Sequence, residues 1–266
     1  GMKVADGYSF ARKVVNVLKD EGLAVADLLV PRECAVCGKT LQLYEKHLCI
    51  YCEADLPLTR FWERRINPMA DKLNAKIQEN ITAHEENEAP VKYSYATALF
   101  IYHGENRYKR IPQRLKYLGD ITEGKYYAEM LGRFMKNSEL FQDIDLIIPV
   151  PLHWSRQFRR GYNQAEVLAH EIGRVLNAEV RTDILVRSRR TQTQTKLDVA
   201  AKSQNVGNAF SVRANAIVTN KLRHVLIVDD VFTTGATMST CMDVLQKICG
   251  PETRLSAATL GHVSNY

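Results

Sequence analysis

Residues 225–237 read VLIVDDVFTTGAT. Val225 to Val228 form a short, uninterrupted apolar run, which reads as a strand buried on both faces. Asp229 and Asp230 follow at once, and then comes a threonine-rich turn around Gly235. Directly after it, Met238, Cys241, Met242, Leu245, Ile248 and Cys249 recur at one-face helical spacing, with Gly250 as the stop. A strand, a turn and a helix in this order are one unit of a parallel α/β sheet. In such sheets ligands bind at the carboxyl ends of the strands, which is where this reading puts the two acids.

The same alternation extends outward from about residue 91. YSYATALFIY, DLIIPVP and RLSAATLGH read as strands. Two segments between them read as helices: one turns Tyr127, Met130, Leu131 and Phe134 to one side, the other Leu168, Ile172, Val175 and Leu176. The expected fold class is therefore α/β, a parallel sheet flanked by helices over 91–266. Upstream, 8–29 has a helical stripe through Phe10, Val14, Val17 and Leu18, and 61–90 is polar and charged, expected as a helix plus a linker. The expected division is 1–60, 61–90 and 91–266.

The 266 residues have an ordinary apolar content and a net charge of +6, compatible with an anionic ligand or nucleic acid without demanding either. No window approaches the 18 or so apolar residues of a membrane span, and the start shows no export pattern. The expected compartment is the cytoplasm. Four of the six cysteines form two CxxC pairs, Cys34/Cys37 and Cys49/Cys52, separated by eleven residues. Without an export signal this spacing points to a metal rather than to disulfides. Four thiolates around one Zn²⁺ leave no open position, so the metal's role would be structural; the alternative is two reduced thiol pairs, or a disulfide formed on oxidation. Cys241 and Cys249 read as core residues.

Two readings of the opening stretch stand side by side. In one, the acids cap a turn before an ordinary helix. In the other, the turn is a phosphate site: a helix N-terminus offers N–H groups and partial positive charge, Thr233, Thr234 and Thr237 add hydroxyls, and Gly235, just before Ala236, lets the backbone approach. Asp229 and Asp230 would repel that phosphate but suit neighbouring hydroxyls or the waters of a Mg²⁺ ion. A phosphate with vicinal hydroxyls nearby is a ribose 5-phosphate. No GxxxxGK[ST] and no strand-borne GxGxxG is present.

VLIVDDVFTTGAT resembles the signature of type I phosphoribosyltransferases, which bind phosphoribosyl pyrophosphate (PRPP). LLVPRECAVCGK with the second CxxC, RLKYLGD at 114–120, IIPVPLHWSRQFRRGYNQAEVLA at 147–169 and RTQTQTKLDVAAKSQNVGNAF at 190–210 are similar to the ComF family of competence-related proteins. In that family a zinc module precedes a phosphoribosyltransferase domain. The resemblance covers about 23–57 and 91–266, and 58–90 matches nothing.

The resemblance implies that Asp229 and Asp230 hold the ribose hydroxyls and act catalytically, and that Thr233–Thr237 hold the 5-phosphate. It places Pro151, Leu152 and His153 toward the pyrophosphate. Arg156, Arg159 and Arg160 then read as phosphate contacts, or equally as a solvated turn. It makes the segment with Thr195, Lys196, Leu197 and Asp198 a lid over PRPP and Mg²⁺, the other reading being a surface loop. Lys116 reads as a phosphate contact or as a helix-face lysine. Lys202 stands where the family more often has Arg. The implied activity is phosphoribosyl transfer to an unknown acceptor. The alternative is an auxiliary DNA-uptake protein contacting single-stranded DNA or a helicase partner.

Overall fold

A computed structural model describes residues 31–84, 90–117, 121–152, 161–187, 210–213 and 222–264. The chain divides into two compact units, 1–56 and 57–266. The helix expected over 8–29 lies outside the described residues.

In the first unit, residues 31–56 make two turns and one short helix, α1 (Ile50–Ala54). The first CxxC closes through Gly38 N–H to the Cys34 carbonyl at 2.9 Å, with Gly38 in the left-handed region at φ +73°. Cys49 precedes α1 and Cys52 lies within it. The two halves join where Ala35 N–H donates to the His47 carbonyl at 2.9 Å. Glu45 accepts the N–H groups of Gln42 and Ile50, both at 2.7 Å, which hold its carboxyl below the ordinary range. Among the described residues of this unit, Val36, Leu41, Leu48 and Leu56 are the buried aliphatics beside Ala35.

The second unit is built on a five-stranded sheet ordered β1-β7-β6-β2-β3, every neighbouring pair parallel. The strands are β1 (Ala96–Tyr102), β2 (Leu146–Pro149), β3 (Glu179–Val180), β6 (His224–Phe232) and β7 (Arg254–Val263). A separate antiparallel pair, β4 (Leu185–Arg187) with β5 (Phe210–Val212), joins the two ends of the segment 188–209. The helices are α2 (Pro68–His84), α3 (Arg110–Tyr117), α4 (Ile121–Lys136), α5 (Gln164–Leu176) and α6 (Ala236–Cys249). The α/β architecture expected from the strand–helix alternation is the one observed.

Alternation along each strand feeds two cores. Ala96, Ala98, Ile148, Val225, Ile227 and Ala257 pack with Met69 and Leu73 of α2 and with Met238, Cys241, Met242 and Leu245 of α6. The intervening strand residues, such as Ile147 and Leu226, are buried on the other face, where α4 and α5 pack. In α6 the predicted stripe holds as far as Leu245; Ile248 is 39% exposed, and Cys249 is half-buried against the same core. Cys241 is fully buried in this core. The stripe on α4 is rotated from the expected one. Tyr127, Ala128, Leu131 and Met135 are buried, while Phe134 is half-buried and stacks on Trp62 with centroids 4.3 Å apart.

The region read as a polar helix and linker contributes core. Met69, Ala70 and Leu73 of α2 are fully buried, and the compact unit containing them begins at Pro57. Asparagines fix α2 to the chain leading into β1. Asn67 Nδ2 donates to the Ala96 carbonyl at 3.0 Å, Asn74 Nδ2 to the Ser94 carbonyl at 2.8 Å, and Asn74 Oδ1 accepts Ser94 N–H at 2.9 Å. Other polar side chains of α2, among them Asp71, Gln78 and Glu79, are exposed, so the helix reads as polar although one side of it is core.

Candidate functional sites

In the first unit, Sγ atoms of Cys34, Cys37, Cys49 and Cys52 all lie within 4.8 Å of one another, and Cys37 and Cys49 approach to 3.8 Å. Tetrahedral metal–thiolate bonds of about 2.3 Å put the sulfurs about 3.8 Å apart, so this set has the geometry to hold one metal ion. Burial opposes ionisation of Cys34, but N–H groups of Cys37, Cys49 and Val36 outweigh it and bring the thiol down to about 7. Burial and the neighbouring thiols push Cys49 and Cys52 up. Four clustered thiols cannot all ionise without a cation among them. The two CxxC pairs read from the sequence thus converge on one point.

In the second unit the acids occupy a particular place on β6. Pairing with β2 ends at Pro149 opposite Val228, closed by Val150 N–H to the Val228 carbonyl at 2.9 Å. Pairing with β7 continues through Asp229 opposite Thr259 to Phe232 opposite His262. The change from valine to aspartate therefore marks the end of β2 pairing, whereas the strand itself runs on to Phe232. Beyond Val228 the strand has one flank uncovered by β2, and both acids stand on this stretch. Pro151 and Leu152, half-buried, come off β2 at the same end of the sheet.

Each carboxylate accepts the N–H of the next residue: Asp230 N–H donates to Asp229 Oδ1 and Val231 N–H to Asp230 Oδ1, both at 2.8 Å. Lys116 Nζ, at the end of α3, lies 3.4 Å from Asp230 Oδ2. The turn before it is tied to the start of α5 by Tyr162 Oη donating to the Leu115 carbonyl at 2.8 Å. Burial, then the charge of Asp230, raise the Asp229 carboxyl well above its ordinary range, against the pull of Lys116. Tyr102, at the end of β1, is pushed up to about 12 by burial and by Asp230.

This sets a pH dependence. Above its raised folded value Asp229 is charged at an energetic cost, and the cost disappears as pH falls through that value. Asp229→Asn is therefore expected to raise Tm at pH 8, with the gain shrinking on acidification. Calorimetry between pH 8 and pH 5 checks this; a Tm lowered at pH 8 contradicts it.

The turn after β6 brings Thr233, Thr234 and Thr237, all exposed, to the N-terminus of α6. Gly235 is left-handed at φ +83°, and a Cβ there would meet Phe232 Cζ at 2.9 Å. Both constraints demand glycine, so a side chain at 235 would cost about 1–3 kcal/mol and shift the turn. Ala236 N–H donates to Thr234 Oγ1 at 3.3 Å, and the following helix-start N–H groups have no intrahelical acceptor. The acids and this turn are thus neighbours in space as well as in sequence. His153, Arg156, Arg159, Arg160 and Thr195–Asp198 lie outside the described residues.

Sequence reasoning missed Lys72 and Tyr102. Lys72 Nζ donates to the Thr233 carbonyl at 3.4 Å. Only the end position of Tyr102 in ALFIY could have drawn attention to it.

Residues 159–262 match the phosphoribosyl transferase domain family. The chain is also similar to named competence proteins. It is 29% identical to Competence protein F of Haemophilus influenzae over 220 residues, 81% of this chain and 91% of that protein. It is 25% identical to Competence protein ComFC of Streptococcus pneumoniae over 228 residues, 81% of this chain and 94% of that one. DNA utilization protein YhgH of Escherichia coli K12 is 36% identical over 101 residues, 38% of this chain and 43% of its own length. Among the described residues, no helix is long and apolar enough to cross a membrane.

Proposed function

We propose that the second unit binds PRPP at the carboxyl end of β6. The observation that carries this reading is the pair Asp229–Asp230 on the part of β6 beyond β2, directly followed by the Gly235 turn, within a phosphoribosyl transferase domain. The turn and the start of α6 take the 5-phosphate. The two carboxylates accept the ribose hydroxyls and hold the ring in one orientation. Mg²⁺ accompanying PRPP supplies charge neutralisation of the pyrophosphate. In a transfer, the bond from the anomeric carbon to pyrophosphate breaks and positive charge develops on the ribose. Asp229 and Asp230, at the hydroxyls, stabilise it. Pro151 and Leu152, at the same sheet end, face the pyrophosphate, with His153, Arg156, Arg159 and Arg160 next to them in sequence. Thr195–Asp198 are assigned to the PRPP site by their sequence alone and lie outside the described residues. The protein is read as a phosphoribosyltransferase whose acceptor is unassigned, acting in the cytoplasm.

The metal of the first unit is Zn²⁺, in a structural role, because four thiolates complete its coordination.

A second reading is favoured by the names of the relatives, which describe competence and DNA utilization. Here the same fold serves DNA uptake, with the arginine run contacting single-stranded DNA or a helicase partner.

One titration separates the two. Calorimetry with PRPP, with and without Mg²⁺, is expected to show one site per chain that Mg²⁺ strengthens. A single-stranded oligonucleotide binding in a salt-dependent way, with no PRPP isotherm, would instead establish the second reading.

A further inference from the structure

Lys72 belongs to the helix that neither the motifs nor the family match covers: it is 87 residues before the matched region begins at 159. Its placement is nevertheless tight. Met69, Ala70 and Leu73 around it are fully buried, and Asn67 Oδ1 accepts Ala70 N–H at 2.9 Å. Asn80 Nδ2, two turns on, donates to Asp243 Oδ2 of α6 at 2.7 Å. The helix carrying Lys72 is thus bonded both to the chain entering β1 and to the helix that starts at the Thr233–Thr237 turn. The backbones also approach closely there, since a Cβ on Gly235 would lie 3.7 Å from Leu73 Cα.

From this fixed base the Lys72 ammonium reaches the turn itself, at the Thr233 carbonyl. Among the described residues Lys72 has no carboxylate in ion-pair range. An ammonium carries three donors, and one carbonyl takes only one of them. Lys72 is half-buried as a residue and its bond to the turn is exposed; among the described residues no acid matches its charge, and an anion held in the turn would. Its field is felt nearby: burial, then the positive charge of Lys72, lower the His262 imidazole to about 4.

We propose that Lys72 is a phosphate-binding residue of the Thr233–Thr237 turn, supplying from α2 the cation that pairs with a phosphate monoester dianion. This rests on the assignment of that turn to the 5-phosphate. The second unit would then complete its phosphate site with a helix that lies far upstream of the matched domain.

The experiment is calorimetry with ribose 5-phosphate on the full chain, comparing wild type, Lys72→Met and Lys72→Arg at low and high ionic strength. Lys72→Met is expected to weaken binding about tenfold or more, and to flatten its salt dependence. Lys72→Arg is expected to recover most of both. Lys72 is half-buried at the surface, so both variants should fold, and far-UV circular dichroism with Tm verifies it. A contact that only ties α2 to the turn would lower Tm in Lys72→Met while leaving affinity and salt dependence as in wild type, and that outcome overturns the proposal. Wild-type protein that fails to bind ribose 5-phosphate overturns the assignment of the turn, and the role of Lys72 with it.

Discussion

Replacing Asp229 and Asp230 together by Asn is expected to weaken the Mg²⁺–PRPP complex about 100-fold or more. A hydrogen bond to a charged acceptor contributes about 1.5–3 kcal/mol, so two lost at the ribose amount to at least about 3 kcal/mol. The substitution is close in shape. Each Asn keeps an oxygen for the backbone N–H that the carboxylate now accepts, from Asp230 and Val231 respectively, so the strand end should hold its geometry. What changes is the charge, which Lys116 now faces at 3.4 Å from Asp230. Calorimetry with PRPP measures the loss, and titration with inorganic phosphate serves as the control, since the turn is untouched. An unchanged PRPP isotherm would remove the acids from the ligand site. The single variant Asp229→Asn should at the same time be more stable than wild type at high pH. A gain in stability with a loss in binding is what a carboxylate held at a functional cost produces.

Removing the metal is expected to unfold the first unit and spare the second. Purified protein should contain about one zinc per chain. Cys49→Ser is expected to reduce this to less than about a tenth, because the three remaining thiolates no longer close the shell. Structural zinc contributes about 10–16 kcal/mol in small metal-folded peptides, far more than a handful of buried aliphatics can provide. Amide exchange over 31–56 should therefore become fast in Cys49→Ser or after chelation. The core strands of the 57–266 unit should retain their protection, because their packing lies within that unit. Full protection of 31–56 without metal would show that the thiol cluster is not what holds this unit together.

Much of the second unit is legible because its signals are local. Val225–Val228 must be buried on both faces, and Asp229, Asp230 and Gly235 sit in one short stretch of chain. The helical stripe of α6 follows from the same arithmetic, as far as Leu245. The two CxxC pairs are local in the same sense: each knuckle positions its own two sulfurs, and bonds from Ala35 N–H to the His47 carbonyl and from Cys49 N–H to Cys34 Sγ bring the pairs together.

What escaped the sequence is non-local. The apolar stripe of α2, Met69, Ala70, Leu73 and Ile77, is narrow and stands in a polar context, so its burial shows only once α6 and the sheet are seen against it. The β4–β5 pair has strands of three residues each, too short for any period to show. On α4 the choice between Phe134 and Met135 as the buried residue depends on Trp62, 72 residues away in the chain, which takes Phe134 as its stacking partner.

The sequence by itself determined the α/β class, the acid pair with its turn, and the four-cysteine set, because each follows from short-range periodicity or spacing. Only the tertiary structure decided that β2 pairing stops at Val228 while β6 continues, that Lys116 faces Asp230, and that Lys72 stands at the Thr233–Thr237 turn. Those are relations between segments about 110 to 160 residues apart for the two lysines, fixed by packing and backbone hydrogen bonding across the sheet, and no local pattern encodes them.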